Sequence, residues 1–397
     1  MSDRTRSWLL NLGLVIFSIM VGYFAIELMF FRFMLPNMAL NVRPHLPETA
    51  DVLVQSSKLH LVPQNYIALL GDSYAEGLGD WLFTADGNEA RPFHSAHVIH
   101  ELTGQDVVSF GKGGAGSAEA LVLRPTRIMG GSRCLIFPSI RAPTRIVIYF
   151  FEGNDINDNL SFLEKVRARY GRTDAALVDT YLEQDYGTFA RWRCHLYLGD
   201  TVARMIKFAY ENRPTGQHNF FPPRPAGPPG ETGTNIEIAG QVFGVRSPLI
   251  GPALELHEGD IKRSVEVLER SLAWVRKYFS NVPITLVYLP SPHSVYRHVG
   301  DTAGYVYGLP HRILFDTAPT AAIGRNSNLI CNLVREASLH WELGFLDARP
   351  TLRNVAARGF IHGPRDWGHF NELGYRALGE FVARNVVEDN RSGTCTD

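Results

Sequence analysis

Five short runs of apolar residues alternate along this chain with stretches whose apolar positions recur at helical spacing. The runs predict strands over Tyr66–Leu70, Asp106–Phe110, Arg145–Phe151, Ile284–Leu289 and Gly344–Leu346. The amphipathic stretches predict helices over Phe93–Thr103, Ser117–Arg127, Ile261–Phe279, Ala321–Leu343 and Glu372–Val387. Unbroken apolar strands such as IVIYFF are what a parallel sheet needs when helices cover both of its faces. Strand–helix alternation therefore implies an α/β fold, a three-layer α/β/α sandwich with a parallel five-stranded sheet and right-handed crossovers. Ligands in such sheets bind beyond the carboxyl ends of the strands.

Ahead of this pattern, Trp8–Phe31 is apolar but for Asn11, Ser18 and Glu27. Roughly 20 apolar residues cross a bilayer, and a cleaved signal would have a shorter core and small residues at its cut site. An N-terminal transmembrane helix, an uncleaved anchor over residues 1–35, is the expectation; the plain alternative is a first helix docked on the domain. Arg4 and Arg6 precede it and Arg32 and Arg43 follow it, so charge specifies orientation only weakly. A linker over residues 36–60, punctuated by Pro36 and Pro47, leads into one domain over residues 61–390. The alternation breaks over residues 157–260, read as an insertion. It holds helical pieces over Ser161–Tyr170 and Ala203–Tyr210, then the Pro/Gly-rich run Arg213–Thr234. That run is either a lid or partner surface, or a plain solvent loop. The polar tail, residues 391–397 with the preceding few, is expected to fray.

Composition removes some function classes. A formal net charge of −1 over 397 residues gives no basic excess for nucleic acid. Cys134, Cys194, Cys331 and Cys395 lie far apart without CxxC spacing, which argues against zinc and thioredoxin-like chemistry. Reduced thiols and disulfides both remain open.

The chemistry-bearing residues sit where the predicted strands end. Ser73 follows the first strand in Gly71-Asp72-Ser73, a place that exposes a hydroxyl and sets helical N–H groups beside it. Ser73-Tyr-Ala-Glu76 also fits a capping box, in which Ser73 would only cap the helix. Asp366-Trp367-Gly368-His369 precedes the last helix, and its offset lets a carboxylate reach one ring nitrogen while the other faces a nucleophile. Asn371 is placed to cap that helix, with Phe370 and Tyr375 at staple spacing. After strand two, Ser109-Phe-Gly111-Lys-Gly-Gly-Ala-Gly116 offers backbone donors; it is no P-loop, and its match to GxGxxG has no other support. After strand three, Asn154 in Gly153-Asn154-Asp155 offers a side-chain amide or an Asx turn. Asp155-Ile-Asn157-Asp-Asn159 begins like a calcium loop, but Leu160 and Val166 stand where glycine and glutamate are required.

In that order, GDS, a glycine turn, GND and DxxH resemble the four sequence blocks of the SGNH (GDSL-type) hydrolase family. The likeness covers roughly Asn65–Asn154 and Ile284–Val387. It implies a flavodoxin-like sandwich with Ser73 as nucleophile, His369 as base and Asp366 as its orienting carboxylate. It further implies an oxyanion hole from the N–H of Ser73, the N–H of Gly111 and the side chain of Asn154. Ser109 departs from the family, where many members carry Asn, and puts the local turn bonding in question.

The resemblance implies ester chemistry without metal or organic cofactor. Expected substrates are O-acyl, above all O-acetyl, esters of carbohydrate or lipid, with the catalytic body on the extracytoplasmic, periplasmic side. Alternatives are an O-acyltransferase acting on envelope polysaccharide, or a non-catalytic carbohydrate-binding or assembly protein retaining the fold. His94, His97 and His100 recur on a predicted helix and read as its polar face rather than a metal site. His293 is a candidate for the cleft lining. Tyr149, Tyr296 and Trp367 could stack on a sugar ring, though core packing is the default for such residues.

Overall fold

The computed structural model describes residues 3–38, 46–83, 94–131, 137–186, 196–211, 234–245, 249–309, 312–387 and 393–396. Its strands, in chain order, are β1 (Ile67–Leu70), β2 (Val107–Ser109), β3 (Arg145–Phe151), β4 (Asn235–Ile238), β5 (Gln241–Gly244), β6 (Leu249–Ile250), β7 (Ile284–Leu289), β8 (Arg297–His298), β9 (Thr302–Leu309), β10 (Arg312–Pro319) and β11 (Gly344–Asp347). Its helices are α1 (Asp3–Met29), α2 (Glu48–Leu53), α3 (Ser73–Glu76), α4 (Ser95–Thr103), α5 (Arg124–Gly131), α6 (Asp155–Tyr170), α7 (Ala175–Tyr181), α8 (Tyr197–Glu211), α9 (Glu258–Tyr278), α10 (Pro292–Val295), α11 (Thr320–His340), α12 (Arg349–Ala356) and α13 (Glu372–Val387).

The five strands expected from the sequence pair in one parallel sheet, ordered β11-β7-β3-β1-β2. Successive side chains of a strand point to opposite faces, and here they feed two cores. Ala68, Leu70, Ile146, Ile148 and Leu286 join one core with residues of α2, α9 and α11. Ile67, Leu69, Val147, Phe151 and Val287 join the other with α4, α12 and α13. The three layers of the α/β/α sandwich follow.

Both sheet edges are covered. At β2, the Gln55 side chain accepts from Ser109 N and donates to Ser109 O, while Ser57 O accepts from Val107 N. At β11, Gly393 N donates to Phe345 O, and Cys395 is bonded to Cys331 of α11. This corrects the expectation of a frayed tail for residues 393–396, since a covalent bond and a strand-edge hydrogen bond hold them. Cys134 and Cys194 lie outside the described residues.

Other differences have local causes. The helix expected from Phe93 begins at Ser95, because the His94 ring takes the cap: its Nδ1 accepts from Ala96 N. The helix expected over Ser117–Arg127 starts as a π-turn, Ala118–Leu123, and continues as α5. The region 157–260 contributes most of α6, which holds the expected helical piece Ser161–Tyr170, with α7, α8 and three short strands, and the proline-rich run lies outside the described residues except for Thr234. Sequence periodicity missed the antiparallel β4–β5 and β9–β10 pairs.

The span Ser7–Asn37 is long and apolar enough to cross a membrane, with a mean hydropathy of 2.2. Its first turns stand exposed, but its base is docked. Phe30, Phe31 and Leu35 are buried in the α2/α9 core, and the Phe31 ring lies 4.7 Å from Phe137 and 5.3 Å from Tyr197.

Candidate active site

The turn after β1 leaves no room for a side chain at Gly71, whose φ is +146° and where a Cβ would come 2.6 Å from the Tyr149 carbonyl. Asp72 then caps α3, its Oδ1 accepting from Tyr74 N at 2.9 Å. Ser73 is thus the first helical residue and not the cap. The capping-box reading fails at its other end too, because the Glu76 carboxylate accepts from Gly113 N across the glycine turn. With the capping done by its neighbour, the Ser73 hydroxyl is left available.

His369 Nε2 lies 2.9 Å from Ser73 Oγ, and His369 Nδ1 lies 2.7 Å from Asp366 Oδ2. An ionised carboxylate only accepts, so Nδ1 carries the ring proton and Nε2 presents a lone pair to the hydroxyl. Ser73 Oγ also has Asp72 Oδ2 at 3.3 Å, a longer contact. The second Asp366 oxygen accepts from Gly368 N and His369 N, which fixes the carboxylate in its own turn. Burial pulls the His369 pKa down, but the Asp366 hydrogen bond and charge, aided by Asp72 and Glu76, outweigh it and hold the imidazole above its usual value. Burial raises Asp366, and the His369 hydrogen bond and charge reverse this to leave it below the carboxylate norm.

Around this core lie residues that the motifs did not disclose. Asp80 Oδ1 accepts from Arg365 N and Asp366 N, so one loop after α3 holds the other. Tyr74 OH donates to Gly368 O at 2.7 Å, with its ring 5.4 Å from that of His369. Asn371 Oδ1 accepts from Gly374 N as an N-cap, and Phe370 meets Tyr375 edge-on at 5.6 Å, as the staple spacing implied.

The expected oxyanion donors fare differently. The Gly111 N–H donates to Ser109 Oγ at 3.0 Å, and Ser109 Oγ donates to Ala75 O. Serine therefore does the local turn bonding, and the Gly111 N–H is engaged with it in this structure. Gly113 is the turn residue beside Ser73: a Cβ there would sit 3.8 Å from Ser73 Cβ. Asn154 Nδ2 donates to Asp158 Oδ2 at 2.9 Å, which leaves the second amide hydrogen uncommitted, and its Oδ1 is buried without a partner. Gly153 is held bare by the Phe151 ring and Ile250, each within 3 Å of where a Cβ would stand. Ile250 also lies 3.6 Å from the Cβ position of Gly368, so β6 walls the cleft between the Asn154 and His369 loops. Burial raises three nearby carboxyls: Asp72 to about 6, Asp158 to about 7, and Asp155 well above its norm, with charge repulsion adding in each.

Several sequence candidates lie elsewhere. His293 is buried and its Nε2 donates to Gly304 O, so it does not line the cleft. Tyr149 OH donates to Ser95 Oγ, Tyr296 OH accepts from Ile361 N, and Trp367 packs edge-on to Phe360; all three are core residues. His97 and His100 bond separately to Ser56 and Gln105 O, while His94 is buried against Tyr375 and is not part of a polar face. Among the described residues the one group with metal-like spacing is Cys331, Asp347 and Cys395, whose sulfurs are already bonded to each other. A cavity of about 450 Å³, lined by His293, Tyr296, His298 and Arg353, includes no member of the Ser73–His369 cluster.

No family model matches the chain, and no curated protein matches it in sequence. Its fold is similar to solved structures of ester-cleaving proteins. An extracellular lipase from Streptomyces rimosus is 13% identical with a TM-score of 0.37, over 81% of this chain and 98% of that one. A phospholipase A1 from Streptomyces albidoflavus is 13% identical with a TM-score of 0.36, over 83% and 100%. An acetyl xylan esterase from Butyrivibrio proteoclasticus is 10% identical with a TM-score of 0.34, over 83% and 64%.

Proposed function

We propose that this chain is a membrane-anchored serine esterase of the SGNH type, with Ser73, His369 and Asp366 as its triad. The observation that carries the reading is the continuous contact from Asp366 through His369 to Ser73, with the imidazole tautomer already set for proton removal. In the first step Ser73 Oγ bonds to the ester carbonyl carbon as its proton passes to His369 Nε2. The oxyanion is held by the N–H of Ser73 and the second amide hydrogen of Asn154. The glycine turn supplies a third donor. That donor is the Gly111 N–H, which lies 3.0 Å from Ser109 Oγ and would exchange this bond for the oxyanion. The C–O bond of the ester then breaks and the imidazolium protonates the departing alkoxide. Water, deprotonated by His369, attacks the acyl-serine and releases the acid.

Ile250 narrows the cleft between Gly153 and Gly368, which suits a short acyl group such as O-acetyl. The Cys331–Cys395 disulfide supports an oxidising, extracytoplasmic setting for the catalytic body, with the N-terminal helix as its anchor. Carbohydrate O-acetyl esters fit this placement.

The test is intact-mass labelling of the full chain with a fluorophosphonate, followed by mapping, beside turnover of p-nitrophenyl acetate. A single adduct on Ser73, with activity lost in Ser73→Ala and His369→Ala at unchanged thermal stability, is the expected outcome. No adduct and no turnover in the wild type would leave a non-catalytic binding protein as the better reading.

A further inference from the structure

Outside α1, exposed large apolar side chains among the described residues stand mostly alone, as is normal for a surface. One helix is the exception. Val202, Met205 and Ile206 on α8 are 44%, 44% and 65% exposed. Their spacing of three and four residues puts them on one stripe. Arg204 and Lys207 are exposed on the same stretch.

The place where α8 begins matters as much as its pattern. Leu198 N donates to the Glu27 carboxylate at 3.0 Å, the Tyr197 ring packs on Phe31, and Tyr23 OH lies 2.9 Å from the Cβ position of Gly199. Roughly 20 residues of helix cross a hydrocarbon core, so a span that enters near Trp8 leaves it near Glu27. The first turn of α8 is therefore bonded to the anchor at the height where the anchor meets water. Phe33 and Met34, at 65% and 59% exposure, continue the apolar surface at the anchor's base.

We propose that α8 lies in the bilayer interface, with Val202, Met205 and Ile206 in the acyl boundary and Arg204 and Lys207 on the opposite, polar face. This rests on the anchor reading above and adds a second attachment to it. A helix with an apolar stripe and basic residues on its polar face is what such an interface takes up, and continuity with the anchor argues for lipid rather than a protein partner. The catalytic body is then held at fixed height and orientation and does not swing on a tether.

The experiment uses the full chain in vesicles of phosphatidylcholine and phosphatidylglycerol with brominated acyl chains. Ile206→Trp is compared with Leu339→Trp, a control on exposed surface of α11, each against the wild-type tryptophan background. The added emission of Ile206→Trp should be largely lost to bromine while that of Leu339→Trp is kept. Equal, weak quenching of the two in a chain that floats with the vesicles overturns the interfacial helix and leaves the anchor standing. Shielding of Ile206→Trp from aqueous acrylamide without bromine quenching means that protein covers the stripe, and also overturns it. A chain recovered free of vesicles overturns both readings.

Discussion

Asp80 accepts a backbone hydrogen bond from Asp366 at 2.9 Å, although 286 residues separate them. The same oxygen accepts from Arg365 N, so the loop after α3 sets the position of the loop that carries His369. Asp80→Ala should free residues 365–369 to shift. Misplacement on the scale of 1 Å costs about 10²-fold in rate, so kcat should fall by about that factor with KM little changed. Steady-state kinetics on p-nitrophenyl acetate checks this; a pure KM effect would place Asp80 in substrate binding instead.

As the proposed base, His369 must be neutral to accept the Ser73 proton. Because its partners hold His369 above the usual histidine value, the acidic limb of kcat/KM should have its midpoint above roughly 6.5. Asp366→Asn removes the largest of the raising interactions, so the midpoint should drop while kcat falls by about 10⁴-fold. A profile that keeps its midpoint in Asp366→Asn would remove Asp366 from the mechanism.

Asp158 gives a stability test of opposite sense. Its folded pKa is raised to about 7 by burial and by Asp72, so folding favours the protonated form. The corresponding stability is present below the unfolded carboxylate value and is lost as pH rises through about 7. Asp158→Asn should therefore raise the melting temperature at pH 8 and change it little at pH 4. Calorimetry at the two pH values decides; an equal shift at both would mean that packing, and not charge, governs this position.

The Cys331–Cys395 bond spans a separation of 64 residues. Chain entropy alone assigns a closure of that length about 4 kcal/mol. Cys331→Ser should lower the denaturant midpoint accordingly without changing the ester-hydrolysing rate at low temperature, since Ser73 and His369 lie on other loops.

Much of the scaffold was readable because a sheet buried on both faces demands unbroken apolar strands. Arg145–Phe151 and Ile284–Leu289 form as expected to the residue. The Ser73, Asp366 and His369 positions were readable because each sits at an element boundary with its own short pattern. What the pattern could not carry was bonding between loops distant in sequence. Ser73-x-x-Glu76 reads as a capping box until Asp72 takes the cap and Gly113 takes the glutamate. Nothing local to Gly111 shows that Ser109 takes its N–H. The hairpin pairs β4–β5 and β9–β10 also pair with β8 and β6, contacts between distant segments that no local periodicity reports.

The tail at Gly393–Cys395 has a bearing on solubility. Beside it, β11 is the terminal strand of the sheet, and an uncovered terminal strand is a template on which other chains add. Reductant would release that cover while leaving the Ser73–His369 contact untouched. Freshly reduced protein should thus keep turning over substrate yet become prone to clumping through its open flank.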